Sequence, residues 1–153
     1  MIIERFTGKH AFLSNFHPCM VVYEGVTYPS TEHAYQAAKT LDGAERAKFW
    51  ASPPRPRKVA TAKEAKALGR KVTLRPDWEQ VKVGVMREIL GAKFAKPHFR
   101  FLLASTEDAT LVEGTTWHDT FWGICTCSEH NGKGENWMGR LLTEIRTAIK
   151  KSG

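Results

Sequence analysis

Long apolar runs are what this chain lacks first: none approaches the roughly 18 residues that cross a bilayer, which excludes a spanning helix. Cysteine is scarce as well. Cys19, Cys125 and Cys127 cannot all pair within the chain, and Cys125 and Cys127 lie too close for an ordinary structural bridge. A disulfide scaffold is therefore excluded, and a reducing compartment suits the composition. The opening Met1-Ile2-Ile3-Glu4-Arg5 has no charged-then-apolar layout, so a cytoplasmic protein with no membrane partner is the expectation. Repeats and low-complexity tracts are missing, and 153 residues suffice for one domain with a real core but not for two comfortable ones. A single domain over 1–153 is expected. Negative charge is in short supply: 16 Asp and Glu against 23 Lys and Arg leave a formal net charge of +7. That balance favours an anionic partner such as phosphate, a dinucleotide or nucleic acid. Pro53-Pro54-Arg55-Pro56-Arg57-Lys58 and Gly69-Arg70-Lys71 concentrate part of the positive charge.

What is present reads as α+β, predominantly helical with a few short strands. Met20-Val21-Val22-Tyr23 and Val26-Thr27-Tyr28 flank Glu24-Gly25, the pattern of a hairpin with a two-residue turn. Pro29 and Ser30 then stop the strand and cap a helix. Helices are further predicted over 44–51, over 58–68 with Gly69 as the stop, from Pro76-Asp77-Trp78 to Pro97, over 98–104, and over about 137–150. The core stripes are Trp78, Val81, Val85, Ile89 and Ala92 on one long helix, and Met138, Leu141, Leu142, Ile145 and Ile149 on the last. Residues 110–113 read as a short strand.

Three constellations could carry chemistry. Glu32, Gln36 and Lys39 recur at spacings of four and three and so share one face of the Ser30-capped helix, backed by Ala34, Ala37, Ala38 and Leu41. They are either an ordinary solvated face or a polar site on a rigid element. In Thr116-Trp117-His118-Asp119-Thr120-Phe121-Trp122-Gly123, Asp119 either caps a turn at an aromatic corner or lines a pocket for a flat polar ligand. Gly132-Lys133-Gly134-Glu135-Asn136 leads into the terminal helix and reads equally as a phosphate cradle or as a plain connection with Asn136 as N-cap. It is not the strand–GxxxxGK(S/T)–helix phosphate loop. Cys125, Cys127 and His130, with His118 nearby, contain metal-ligand residue types, but Cys-x-Cys fits the usual zinc spacings poorly and no second cysteine pair exists. No metal is expected.

Four ordered pieces resemble the NADAR superfamily, whose best-known members are the YbiA-like N-glycosidases. They are Leu13-Ser14-Asn15-Phe16, then Tyr28-Pro29-Ser30-x-Glu32-His33-x-x-Gln36-Ala37-x-Lys39. Next come Gly69-Arg70 and Asp77-Trp78-x-x-Val81-Lys82-x-x-Val85-Met86. The last is Trp122-Gly123 with Gly132-x-Gly134-x-Asn136-x-x-Gly139-x-Leu141-Leu142-x-x-Ile145-Arg146. The match runs from about Phe6 to the end, and the ordered combination is what makes it specific.

The resemblance implies hydrolysis of a ribose C1′–nitrogen bond with no metal and no redox cofactor. Family substrates are phosphorylated ribosylamino-pyrimidine intermediates of riboflavin synthesis, or ADP-ribosylated guanine in DNA. The positive charge leans toward the second, with DNA and a cognate ADP-ribosyltransferase as the implied partners. By the same carry-over Glu32, Lys39 and Asp119 are the implied catalytic residues. Glu32 is a stabilising carboxylate or a base, and Lys39 a Schiff-base nucleophile or a phosphate-binding cation. Asp119 orients the ribose hydroxyls or acts as the second carboxylate. Ser14, Asn15, Phe16, His33, Gln36, Arg70, Trp78, Trp122, Gly123, Gly134, Asn136 and Arg140 are the implied substrate-binding residues, with Trp78 and Trp122 stacking a base or ribose. Two departures stand out: the cysteine-bearing stretch 124–131 is longer than in the simplest members, and Thr143 replaces an apolar residue. A non-catalytic ADP-ribose or nucleic-acid reader is the rival class, against which the full set of Glu32, Lys39 and Asp119 argues.

Overall fold

Glu24 and Gly25 both take positive φ, 48° and 80°, which is what a two-residue turn between right-twisted strands requires. They join Pro18–Tyr23 to Val26–Ser30 as the predicted antiparallel hairpin. In the computed structural model, which describes residues 1–51 and 59–153, the elements follow in this order. They are β1 (Ile2–Ile3), a 3-10 turn (Gly8–Leu13), β2 (Pro18–Tyr23), β3 (Val26–Ser30), α1 (Thr31–Ala38), α2 (Gly43–Ala47) and α3 (Ala62–Gly69). Then come α4 (Trp78–Ala95), α5 (Pro97–Ala104), β4 (Thr110–Leu111), β5 (Gly114–Thr115), β6 (Ile124–Cys125) and α6 (Trp137–Ser152). The proline-rich basic cluster at 53–58 and the start of the helix expected from 58 lie outside the described residues.

The chain is organised as two compact units, Asn15–Lys93 and Met1–Ser14 with Phe94–Gly153. In the first, β2 alternates strictly, with Cys19, Val21 and Tyr23 buried between exposed Met20 and Val22. Helix α1 follows β3 directly. Its cap is Ser30, whose Oγ accepts the His33 N–H at 3.1 Å. A Thr61–Glu64 capping box starts α3. On α4 the buried residues are Trp78, Val85, Met86, Ile89, Leu90, Lys93 and Phe94, so the stripe turns away from Val81 and Ala92, which are half-buried.

The second unit holds two short parallel pairs, β1 with β4 and β5 with β6. Pro97 opens α5 at its first turn, where the missing N–H costs nothing. Helix α6 buries Met138, Gly139, Leu141, Leu142 and Arg146, while Ile145 and Ile149 stay half-buried. Arg146 reaches Thr106 Oγ1 at 2.8 Å.

Several expected elements differ in extent. The helix predicted over 44–51 ends at Ala47, because Lys48, Phe49 and Trp50 donate to residues three back rather than four. Leu41 is 64% exposed, not a packing residue, since α1 has already ended at Ala38. The strand over 110–113 pairs only at Thr110–Leu111.

Gly139 tests two opposed effects. Alanine in a helix interior gains about 1 kcal/mol of propensity. A Cβ at Gly139, however, would land on the Leu111 carbonyl oxygen, a backbone atom that cannot rotate away. Overpacking wins. Gly139→Ala is expected to destabilise by about 2 kcal/mol net, read as a lower denaturant midpoint with unchanged slope.

Candidate active site

The polar stripe predicted on α1 is buried, not solvated. All eight residues of the helix are buried, with Glu32 at 6% and Gln36 at 4% exposure. Glu32 sits in the first turn, where the helix dipole favours an anion. Its N–H donates to the Asn15 carbonyl at 3.1 Å, which ties Asn15 to the helix start. Gln36 Nε2 donates to Glu32 Oε1 at 3.1 Å, one turn along. A carboxylate only accepts, so this bond fixes the direction of the Gln36 amide and leaves its oxygen against Gly69. That packing, more than a need for a helix stop, explains the glycine: φ at Gly69 is not positive, and a Cβ there would overlap Gln36 Oε1.

Lys39 caps the same helix and is half-buried, its Nζ lying 5.6 Å from the centre of the Tyr35 ring. Burial holds its pKa below the ordinary 10.5. Glu32 opposes that shift, and Arg70, Lys66 and Lys82 reinforce it. These four cations come from the α1 C-terminus, α3, its cap and α4. They concentrate positive charge around Lys39, although Lys82 is itself paired with Glu79 at 2.7 Å.

Tyr35 and Trp78 meet at 5.2 Å between ring centres, tilted by 56°. Trp78 is only 5% exposed, so it builds the wall behind Tyr35 and is not a stacking platform open to a base. Phe16 is 42% exposed, with Lys66 Nζ 6.0 Å from its ring centre. Asn15 Nδ2 reaches Met86 Sδ at 3.7 Å. His33, implied as a substrate contact, is 1% exposed and its ring is spent on the fold. Nδ1 meets Ser30 Oγ at 2.7 Å and Nε2 meets the Val59 carbonyl at 3.2 Å. Hydrogen bonds at both ring nitrogens make it a strut between the cap of α1 and the segment before α3.

The second unit holds Ser14 and the residues from 116 onward. Ser14 ends the 3-10 turn, its N–H on the Ala11 carbonyl at 2.9 Å. Asp119 does what the turn-capping reading expects: Oδ1 accepts from the Phe121 and Trp122 N–H groups at 3.2 and 2.9 Å. Half-buried Trp122 stands edge-on to Phe121, with ring centres 4.9 Å apart.

A phosphate cradle at 132–136 does not form. The N–H groups of Trp137 and Met138 at the start of α6 are already taken by the Phe121 and Trp122 carbonyls at 3.1 and 3.0 Å. Nor is Asn136 a plain N-cap. It has φ 52°, and its side chain accepts from Glu113 N–H at 3.0 Å while donating to the Leu111 carbonyl at 2.9 Å. Gly123 and Gly134, implied as substrate contacts, serve backbone packing. A Cβ at Gly134 would overlap the Gly123 carbonyl, and one at Gly123 the Glu113 carbonyl. Arg140 lies 4.8 Å over the Trp137 ring.

Sequence reasoning passed over Lys66 and Lys82 as site residues and Lys93 altogether. Lys93 is fully buried on α4, four residues beyond Ile89, so its place on the apolar stripe was the available signal. Lys66 and Lys82 sit on separate helices, and no spacing links them to Lys39.

The chain belongs to the NADAR domain family, whose sequence profile matches residues 4–150. Among curated relatives, N-glycosidase YbiA of Shigella sonnei is 40% identical over 139 residues, covering 89% of this chain and 79% of that protein. A riboflavin biosynthesis protein of Vibrio vulnificus is 35% identical over 147 residues, which is 94% of this chain but 36% of that longer protein. The NMR structure of E. coli YbiA superposes with a TM-score of 0.78 at 33% identity, covering 99% of this chain and 85% of that one. The α+β, mainly helical architecture is thus the family's own. Among the described residues no helix is long and apolar enough to cross a membrane.

Proposed function

We propose that this chain is an N-glycosidase that hydrolyses the bond between a ribose C1′ and nitrogen in a phosphorylated substrate. The observation that carries the reading is Glu32, a carboxylate 6% exposed, fixed by Gln36 and lying in the field of Lys39 and its neighbouring cations. Cleavage of an N-glycoside builds positive charge on C1′ and the ring oxygen, and a preorganised carboxylate stabilises that charge or draws a proton from the attacking water. Lys66 and Arg70 supply the phosphate-binding charge, and Lys82, paired with Glu79, adds to it only by exchanging that partner. In the other unit, Asp119 is a fixed acceptor held by two backbone N–H groups.

On substrate, kinship with a riboflavin biosynthesis protein supports phosphorylated ribosylamino-pyrimidines. The net charge of +7 supports the second reading, removal of ADP-ribose from guanine in DNA, where backbone phosphates reward a basic surface. Parallel incubation with a ribosylamino-pyrimidine phosphate and an ADP-ribosylated DNA oligonucleotide, followed by mass spectrometry of the released base, separates them. Tight binding of either without release would overturn the enzyme reading in favour of a reader.

Lys39→Met extends the same assay. Loss of a charged hydrogen-bond donor costs about 1.5–3 kcal/mol, so activity is expected to fall roughly ten- to a hundredfold. Stability moves the other way. The folded pKa lies below 10.5, so the folded state holds fewer protons than the unfolded between those values, and stability rises with pH through that window. Below the folded pKa the burial penalty is felt in full. Lys39→Met is therefore expected to raise the melting temperature at neutral pH, with the gain shrinking as pH approaches 10.5. Equal melting temperatures for the two proteins at pH 7 would show that burying the amine costs nothing. Borohydride trapping distinguishes the two chemical uses of Lys39: a covalent sugar adduct requires the neutral amine as nucleophile, and its absence leaves the cation.

A further inference from the structure

The stretch 124–131, expected to hold incidental cysteines, converges with the preceding loop on one point. One ligand atom from each of His118, Cys125, Cys127 and His130 lies within 4.8 Å of all the others. Cys127 Sγ is 3.4 Å from His118 Nδ1 and 3.1 Å from His130 Nδ1, and the two Nδ1 atoms are 3.4 Å apart. Zinc bonds of about 2.0–2.1 Å to nitrogen and about 2.3 Å to sulfur, at tetrahedral angles, set N–N pairs about 3.3 Å and N–S pairs about 3.6 Å apart. The observed separations are close to these.

We propose that His118, Cys125, Cys127 and His130 form a closed, four-ligand site for zinc. The backbone explains why an unusual spacing works. Cys125 ends β6, and residues two apart on an extended chain face the same side, so Cys-x-Cys delivers both sulfurs together. A tight turn then returns His130: its N–H and that of Asn131 both donate to the Cys127 carbonyl, at 3.2 and 2.8 Å. Gly132 N–H donates to the Cys125 carbonyl at 2.7 Å, and Cys125 N–H to the Lys133 carbonyl at 2.9 Å. His118 arrives from the β5–β6 connection with φ 69°, a left-handed conformation uncommon outside glycine. Glu129 Oε2 lies 3.4 Å from His118 Nδ1 and 3.8 Å from His130 Nε2, a carboxylate at the edge of the cluster that adds negative charge beside a cation.

Two thiolates and two neutral imidazoles balance a dication, and four protein ligands leave no open position for substrate water. The site's work is therefore structural: it pins the loop carrying Asp119, the next residue after His118, and Trp122 to the turn at 125–131. This holds whichever substrate the enzyme cleaves.

The test is metal analysis of the reduced, desalted full chain from zinc-supplemented cells, with cobalt(II) titration of the chelator-stripped protein. One zinc per chain and the visible ligand-field bands of tetrahedral, thiolate-bound cobalt are expected. Cys127→Ser should abolish the cobalt spectrum. Exposed His118, removable without disturbing the core, should on His118→Ala weaken binding by more than the roughly 10- to 100-fold typical of losing a ligand's outer partner. Cys19→Ser, in the hairpin, should retain the full metal content. A reduced chain without zinc that gives no cobalt–thiolate bands, or bands that survive both Cys127→Ser and His118→Ala, would overturn the proposal.

Discussion

Glu32→Gln is expected to lower kcat by about 10²- to 10⁴-fold, the range a positioned carboxylate contributes, while leaving the fold and KM nearly unchanged. The substitution is close to isosteric, and the new amide oxygen can still accept from Gln36 Nε2, so that bond survives. What disappears is a full negative charge in a buried place. If positive charge grows at C1′ in the transition state, the barrier rises by about 3 to 5 kcal/mol. Substrate that carries its phosphates elsewhere should bind about as well, since the loss falls on the transition state. A variant with intact kcat and a raised KM would instead make Glu32 a ground-state contact. Undiminished turnover would move the chemistry away from α1 altogether.

The parts of this arrangement that sequence could reveal were local ones. Ser30 before a helical pattern gave the cap, Glu24-Gly25 gave the hairpin turn, and spacings of three and four put Glu32, Gln36 and Lys39 together. Each rests on a short-range rule in which backbone geometry and residue type suffice. Burial did not follow from the same pattern. A stripe of Glu, Gln and Lys reads as solvated until hairpin, α3 and α4 close over it. His33, beside the key carboxylate in sequence, shows what the pattern does not carry: its side chain goes to Ser30 and the Val59 carbonyl. The two-residue strands β1, β4, β5 and β6 are too short to carry any periodicity. Gly123 and Gly134 were implied as ligand contacts, and a Cβ at either would strike another backbone segment. The histidine–cysteine group was visible but set aside on its spacing, because sequence does not show that the β5–β6 connection brings His118 onto the same point.

Gly69→Ala is expected to cost roughly ten- to a hundredfold in kcat/KM while leaving stability equal or slightly improved. Most glycine positions with a filled Cβ site carry the opposite expectation, as Gly139 does. The difference lies in what the new methyl would strike. At Gly69 the obstacle is the far end of a flexible side chain, Gln36 Oε1, which can swing aside without moving any backbone. Alanine also gains about 1 kcal/mol of helix propensity over glycine. The fold therefore loses little. Swinging aside, however, takes Gln36 Nε2 off Glu32, and a hydrogen bond to a charged group is worth about 1.5–3 kcal/mol. The Glu32 carboxylate then loses that restraint, and a less firmly fixed carboxylate must reorganise more as the charge develops. The double-mutant cycle isolates this route. In a Gln36→Ala background there is no amide left to displace, so adding Gly69→Ala should cost nothing further. Additive losses would show that the glycine acts on the site by some path other than Gln36, and full activity in the single variant would show that the Gln36 bond is not what holds Glu32 in place.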